Sequence, residues 1–254
     1  MLAIATIAIV FSHPDFVVVN KPAGIAVHAH NGATLLEQLR HQLGLDGLHP
    51  VHRLDLATSG LLIFAKTADA NREFCQMFAA RKVQKLYIAL SRGKPKQKQG
   101  WVKGDMEKAR GGSYKLTKSL NNPAITYLHS FGAQSAGQQT DQSASSVSIT
   151  DQPMPRLWVM RPITGKTHQL RVALKSLAAS ILGDERYGGA PADRLYLHAL
   201  ALRFYYAGEF FDLMALPQTG AEFDRLITAG RLAALGDPWQ LLWPASFDAQ
   251  NASP

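Results

Sequence analysis

Short apolar runs rich in Val, Ile, Leu and aromatic residues, broken at irregular intervals by Gly, Pro, Asn and Asp, constrain this chain more than any other feature. Residues 15–20, 60–65, 86–90, 125–131 and 157–163 are too short for ordinary helices and too apolar for surface loops, so each reads as a strand. Residues 195–206 and 210–216 form a last strand pair around Ala207-Gly208-Glu209. The apolar start, residues 2–11, is read as a further, buried strand. Helical spacing is confined to a few places. Leu35, Leu36, Leu39 and Leu43 predict a helix near residues 34–42, and Phe74, Met77, Phe78 and Arg81 form a stripe read as core packing. A doubly wound parallel sheet would alternate strand and helix strictly. Here helices intervene irregularly, which predicts an α+β domain on a mixed, largely antiparallel sheet.

At 254 residues and 46% hydrophobic content the chain can fill a real core, which excludes disorder as its default state. Its net charge of +8 is unevenly placed, because residues 91–118 alone carry a net +7. That segment is either a solvated loop or a surface for an anionic polymer, and Trp101 and Tyr114 within it favour RNA, whose bases stack on aromatic faces. Residues 134–152, rich in Ser, Gln, Thr and Ala, bury too little to hold a fixed shape and are expected to be a mobile excursion from a hairpin. The tail beyond Trp243 is expected to be loose. The single cysteine, Cys75, excludes an intramolecular disulfide and is expected to pack as a small apolar residue. No charged leader precedes the apolar start and no run reaches membrane-spanning length, so a cytoplasmic protein without membrane contact is expected.

The chemistry concentrates in a few strings. His52-Arg53-Leu54-Asp55 and Thr58-Ser59-Gly60 lie directly before an apolar strand, where a carboxylate in a loop is both supported and accessible. Lys85-Leu86-Tyr87 opens another strand, and Gly165-Lys166-Thr167-His168-Gln169-Leu170-Arg171 follows a third. Gly165-Lys166-Thr167 is not a phosphate-binding P-loop, since Met160 stands where that motif needs its first glycine. The pairs His28 with His30 and His49 with His52 have no matching Cys or carboxylate set, so no metal site is expected. A glycoside hydrolase would need a second carboxylate beside Asp55, which these strings do not supply.

In order and spacing these segments, together with Asp15 to Gly24 ahead of them and Gly183-Asp184-Glu185-Arg186-Tyr187-Gly188 behind, resemble the motifs of the RluA family of RNA pseudouridine synthases. The resemblance covers about the first two hundred residues. It implies a mixed sheet flanked by helices with a catalytic cleft, and a single catalytic domain over residues 1–243 ahead of a tail at 244–254. It also implies isomerisation of uridine to pseudouridine in transfer or ribosomal RNA, by a monomer that uses neither a nucleotide cofactor nor a metal.

By the same resemblance Asp55 is the nucleophile, attacking the anomeric carbon of the sugar or C6 of the base to give a covalent intermediate. Arg171 pairs with Asp55 and orients it. Tyr87 lies against the target base and takes part in proton transfer. Leu170 supplies an apolar floor, Lys85 contributes to substrate binding, and Arg53 fills the space left by the extruded nucleotide. His52, His168 and Gln169 are read as supports. The chain departs from the family after Val172, where Ala173-Leu174-Lys175-Ser176 replaces its usual histidine and following turn. The S4-type amino-terminal RNA-binding domain of many relatives is not expected here, so RNA recognition is expected to come from the catalytic domain itself. The rival reading is a non-catalytic RNA-binding or ribosome-assembly protein on the same scaffold.

Overall fold

The computed structural model describes residues 6–28, 34–132 and 153–250. The chain runs through β1 (Ala8–Ser12), β2 (Phe16–Lys21), α1 (Leu35–Leu43), β3 (His49–Pro50), β4 (Ser59–Ala65), α2 (Ala68–Ala79) and β5 (Gln84–Ser91). It continues through β6 (Gln99–Gly104), β7 (Met106–Lys108), β8 (Tyr114–Leu116), β9 (Ala124–Phe131), β10 (Arg156–Pro162) and α3 (Gln169–Ser176). It closes with β11 (Leu197–Tyr206), β12 (Glu209–Met214) and α4 (Ala221–Thr228). One sheet has the order β1-β2-β4-β11-β5-β10-β9-β6, with β3 beside β4 and β12 beside β11, while β7 and β8 form a separate ribbon. Among the described pairings only β4 with β11 is parallel, through Ser59 opposite His198 and Gly60 opposite Ala199. The sheet is therefore the mixed, largely antiparallel one that the irregular spacing of helices predicts.

The unbroken apolar runs of β2 and β4 have a direct cause. Side chains alternate across a sheet, and both faces here are covered. Phe16 and Val18 of β2 join Leu61 and Ile63 of β4 on the face where Phe74 and Met77 of α2 pack. Val17 and Val19 join Leu62 and Phe64 on the opposite face, against Leu35 and Leu39 of α1. Each helix starts where its sequence provides a cap: Thr34 and Glu37 form a reciprocal capping box on α1, and the Thr67 hydroxyl accepts from the Ala70 amide on α2. Towards the far side of the sheet, Trp158 and Met160 of β10 pack with Leu170 and Leu174 of α3 and with Phe223 of α4. The Trp158 indole is fully buried, and its N–H donates to the Ser91 hydroxyl at 2.8 Å. Burying one such aromatic side chain contributes roughly 1.5–3 kcal/mol.

Strand β11 has a particular place. It is late in the sequence yet central in the sheet, and among the described strand pairings the half holding β1 to β4 joins the half holding β5, β10, β9 and β6 only through it. A buried polar cluster bolts this seam. Ser59 donates to His198 Nδ1 at 2.8 Å and accepts from Arg194 Nη2 at 2.6 Å, while His198 Nε2 donates to the Ala215 carbonyl at 2.8 Å.

Several expectations are corrected. The first apolar stretch yields β1, which pairs only with β2 at the edge of the sheet and leaves Ile9 exposed, so it is not a buried strand. Cys75 is exposed, because Ala70, Phe74 and Met77 define the inward stripe of α2 and Cys75 lies one residue, about 100°, past Phe74. Arg81 is not on that stripe either. The helix has ended at Ala79, and Arg81 takes a left-handed conformation with φ 60°. The chain beyond Trp243 is docked at least as far as Phe247, which is buried with its ring stacked on Trp101. Residues 134–152 and His30 lie outside the described residues.

Candidate active site

Arg53, Asp55, Lys85, Tyr87, Leu170 and Arg171, separated in sequence by more than a hundred positions, all line one cleft of about 530 Å³. The cleft crosses the β11 seam. Asp55 comes from the loop before β4, Lys85 and Tyr87 from one face of β5, and Leu170 and Arg171 from α3.

The loop that presents Asp55 is held by its own backbone and by a buried lysine. The Thr58 amide donates to the Asp55 carbonyl at 3.0 Å, and the Gly24 amide donates to the Leu56 carbonyl at 2.9 Å. Lys21, fully buried at the end of β2, donates from Nζ to the carbonyls of Thr58 at 2.7 Å, Pro22 at 2.9 Å and Leu56 at 3.1 Å. Burial brings its ammonium down to about 8, with Arg194 pushing the same way and the Asp55 charge opposing. Lys21 thus ties together the carbonyls on either side of Ala57. Sequence reading had given it no role, although a lysine ending an apolar strand immediately before Pro-Ala-Gly was a visible signal.

Arg171 is buried on α3 and divides its guanidinium between two carboxylates. Nε and Nη2 each donate at 2.8 Å to Asp184, whose side chain is fully buried, and Nη1 donates to Asp55 Oδ2 at 3.3 Å. A fork gripped at two points has little freedom to rotate. Asp184 therefore fixes the direction from which Arg171 meets Asp55. Asp184 is a second residue to which the sequence reading attached no role, since only the fold brings it to α3.

The remaining groups divide by what surrounds them. The Tyr87 hydroxyl is pushed above its usual range by burial, reinforced by the Asp55 charge, so it stands in the cleft as a neutral donor. Burial brings the Lys85 ammonium down to about 8, and among the described residues it has the Phe78 ring at 5.7 Å but no carboxylate partner. Arg53 is exposed at the rim, and Leu170 is buried in the wall. Arg81 also lines the cleft, which corrects its reading as core, while Phe78 packs against the core cluster as expected and shows its other side to the cleft.

His52, Gln169 and His168 each have defined partners around the cleft. His52 accepts from the Ile63 amide at 3.1 Å, lies against the tilted Phe78 ring at 4.6 Å and is driven by burial down to about 3, which leaves it neutral. Gln169 accepts from the Thr164 hydroxyl and the Lys166 amide, and donates to the Ile125 carbonyl and Thr126 hydroxyl, so its amide pins the turn ahead of α3 to β9. His168 takes a left-handed conformation with φ 57° and brings Nε2 to 3.8 Å from Asp55 Oδ2. Among the described residues no group of three or more His, Cys, Asp or Glu side chains could hold a metal ion, and no helix is long and apolar enough to cross a membrane.

A carboxylate beside a fixed guanidinium, a neutral phenol and an apolar wall can attack a small planar ring turned into the cleft and move a proton on it. Comparison with known proteins points the same way. The family described as RNA pseudouridylate synthase matches residues 15–176, a span that takes in Asp55, Tyr87 and Arg171. An uncharacterized RNA pseudouridine synthase of Haemophilus influenzae is 43% identical over 217 residues, covering 84% of this chain and 89% of that protein. The tRNA pseudouridine synthase C of Vibrio vulnificus is 31% identical over 215 residues, covering 78% of this chain and 84% of its own. In three dimensions the chain is similar to human RNA pseudouridylate synthase domain containing 1, with a TM-score of 0.66 and 26% identity over 89% of this chain and 95% of that one. On the extent of these matches, the chain belongs to the RNA pseudouridylate synthase family, isomerases that act on RNA.

Proposed function

We propose that this chain converts uridine to pseudouridine in transfer or ribosomal RNA with Asp55 as nucleophile, acting as a cytoplasmic monomer with a single catalytic domain. The observation that carries the reading is the Asp55–Arg171 contact at 3.3 Å in a cleft shared with Tyr87. Isomerisation breaks the bond from N1 of uracil to C1′ of ribose, turns the base, and forms a bond from C5 to C1′ while the C5 proton is lost and N1 gains one. Atoms and electrons balance within the nucleotide, so the chemistry needs no redox partner or phosphoryl donor.

A carboxylate at position 55, attacking C1′ or C6, divides the barrier through a covalent intermediate. Arg171 holds that carboxylate at a fixed bearing, and the protonated Tyr87 hydroxyl stands where it can exchange a proton with the turned base. The target must leave its stack to reach Asp55. Exposed Arg53 is placed at the rim to occupy the space vacated, and Lys85 meets the negative charge that the nucleotide brings.

Asp55→Asn tests the reading. Carbodiimide mapping of total RNA from cells with and without the gene identifies the modified site. The purified wild-type protein restores it, and the variant is expected to bind the same RNA and leave it unmodified. Equal modification by the variant would overturn the assignment, and a site unaffected by loss of the gene would favour the non-catalytic reading.

A further inference from the structure

His168 and Tyr187 were read from sequence as a support and as part of a trailing motif, yet together they form a chain of contacts that ends on Asp55. The Tyr187 side chain is buried, its ring lies under the Arg171 guanidinium at 5.0 Å, and its hydroxyl is 2.8 Å from His168 Nδ1. That hydroxyl already accepts a hydrogen bond from the Tyr114 backbone amide at 3.0 Å. Its own proton needs an acceptor, and among the described residues His168 Nδ1 is the acceptor in reach. Nδ1 must then carry the lone pair and Nε2 the proton. The other end of the ring agrees, because Nε2 lies 3.8 Å from Asp55 Oδ2, where an N–H is attracted and a lone pair would be repelled.

We propose that Tyr187 is a positioning residue that locks His168 in the Nε2–H tautomer, so that Asp55 is oriented from two sides, by Arg171 Nη1 and by His168 Nε2–H. The proposal rests on the reading of Asp55 as nucleophile. It extends that reading to a part of the molecule away from the cleft wall. Tyr114 opens β8, so the ribbon of β7 and β8 is fastened to the carboxylate through one amide, one hydroxyl and one imidazole. Displacing the ribbon would free the Tyr187 hydroxyl and, through it, the tautomer.

The groups that bear on His168 are few. Asp55 faces it from the loop before β4, Arg171 from α3, Asp184, Arg186 and Tyr187 from the turn that follows α3, and Tyr114 from the ribbon. Burial holds the imidazole below its ordinary range, with Asp55 acting in the opposite sense, so the neutral ring whose tautomer matters is the form present at neutral pH.

The tautomer is read directly by nitrogen NMR of the full-length protein labelled with 15N-histidine, the His168 signals being assigned by their loss in His168→Gln. The wild type is expected to show Nε2 protonated and Nδ1 bare. Tyr187→Phe keeps the ring beneath Arg171 and removes only the hydroxyl, and it is expected to give a mixture of tautomers. Single-turnover conversion by this variant should fall about tenfold with RNA affinity unchanged. In a His168→Gln background, where the amide nitrogen presents its own N–H whatever Tyr187 does, adding Tyr187→Phe should change the rate less than twofold. A wild-type spectrum with Nδ1 protonated overturns the proposal even if Tyr187→Phe does not fold, and so does an equal loss in both backgrounds. Full activity in Asp55→Asn would instead overturn the reading of the nucleophile, and the NMR result would still decide the tautomer.

Discussion

The backbones of Gly60 and Ala199 cross so closely that a Cβ built on Gly60 would lie 2.3 Å from the Ala199 carbonyl oxygen and 2.5 Å from its amide nitrogen. Gly60 also has φ 114°, outside the range L side chains favour. This is the point where the only parallel pairing among the described strands is made. Gly60→Ala must push two backbones apart, and the loss of stability is expected to exceed about 4 kcal/mol. Urea denaturation measures it. A variant that unfolds within 1 kcal/mol of wild type would show that the seam is looser than these distances imply.

Asp184 does not line the cleft, so its effect on the reaction is indirect. Asp184→Asn conserves shape and leaves the buried Arg171 guanidinium without its main counter-charge. Breaking a buried pair on one side costs about 3–5 kcal/mol, and the loosened fork no longer meets Asp55 at a fixed bearing. The expected result is a lower melting temperature together with a single-turnover rate reduced at least tenfold and little change in RNA affinity. An unchanged melting temperature and rate would show that Asp184 does not hold the fork in place.

His198 is fully buried and neutral, held at about 4 by burial, with the Arg194 charge adding to the effect and the bond to the Ala215 carbonyl opposing it. In the unfolded chain it titrates near its ordinary value of 6.5. Its folded value is depressed, so below pH 6.5 the unfolded chain binds a proton that the native protein refuses. Its contribution is therefore fully present above pH 6.5 and falls away as the pH drops towards 4. At pH 5 the loss from this one residue is about 2 kcal/mol. Urea midpoints for wild type and His198→Gln at pH 7 and pH 5 measure it, with the variant expected to show the smaller change between the two.

The ribbon and its flanks carry exposed Lys108, Arg110 and Lys118, and Tyr114 between them meets the edge of His168 at the cleft. If RNA lies along this face, replacing those three with Ala weakens binding and leaves single-turnover conversion at saturating RNA unchanged. Each lost phosphate contact lowers the dependence of log affinity on log salt by about 0.7–0.9. Affinity measured across a salt series is expected to show a slope reduced by about 2 units for the triple variant. An unchanged slope would mark the segment as a solvated loop.

Local order was legible in the sequence wherever it depends on near neighbours. The apolar runs of β2 and β4 read as strands and are strands, and Thr34 with Glu37 lies at the start of the helix expected there. The motif strings named six residues that the fold gathers into one cleft. Long-range geometry was not legible. Nothing local in Asp184 says that it will grip Arg171, and the lysine that ends β2, though conspicuous, does not announce which three carbonyls it will collect. Helical spacing continues through Arg81 although the helix does not, and the ring of Phe247 finds its partners far back in the chain, stacked on Trp101 and beneath the Arg161 guanidinium.

The central place of β11 has a temporal consequence. A ribosome delivers the chain from its amino terminus, so Asp55, Tyr87 and Arg171 are all synthesised before the strand that joins their two sides of the sheet. Until residues 197–206 have emerged, the strand that pairs with both β4 and β5 is missing, so the sheet that holds nucleophile and guanidinium is not yet joined across its middle. An unfinished copy is therefore expected to lack the assembled cleft until this late central strand has paired with both neighbours.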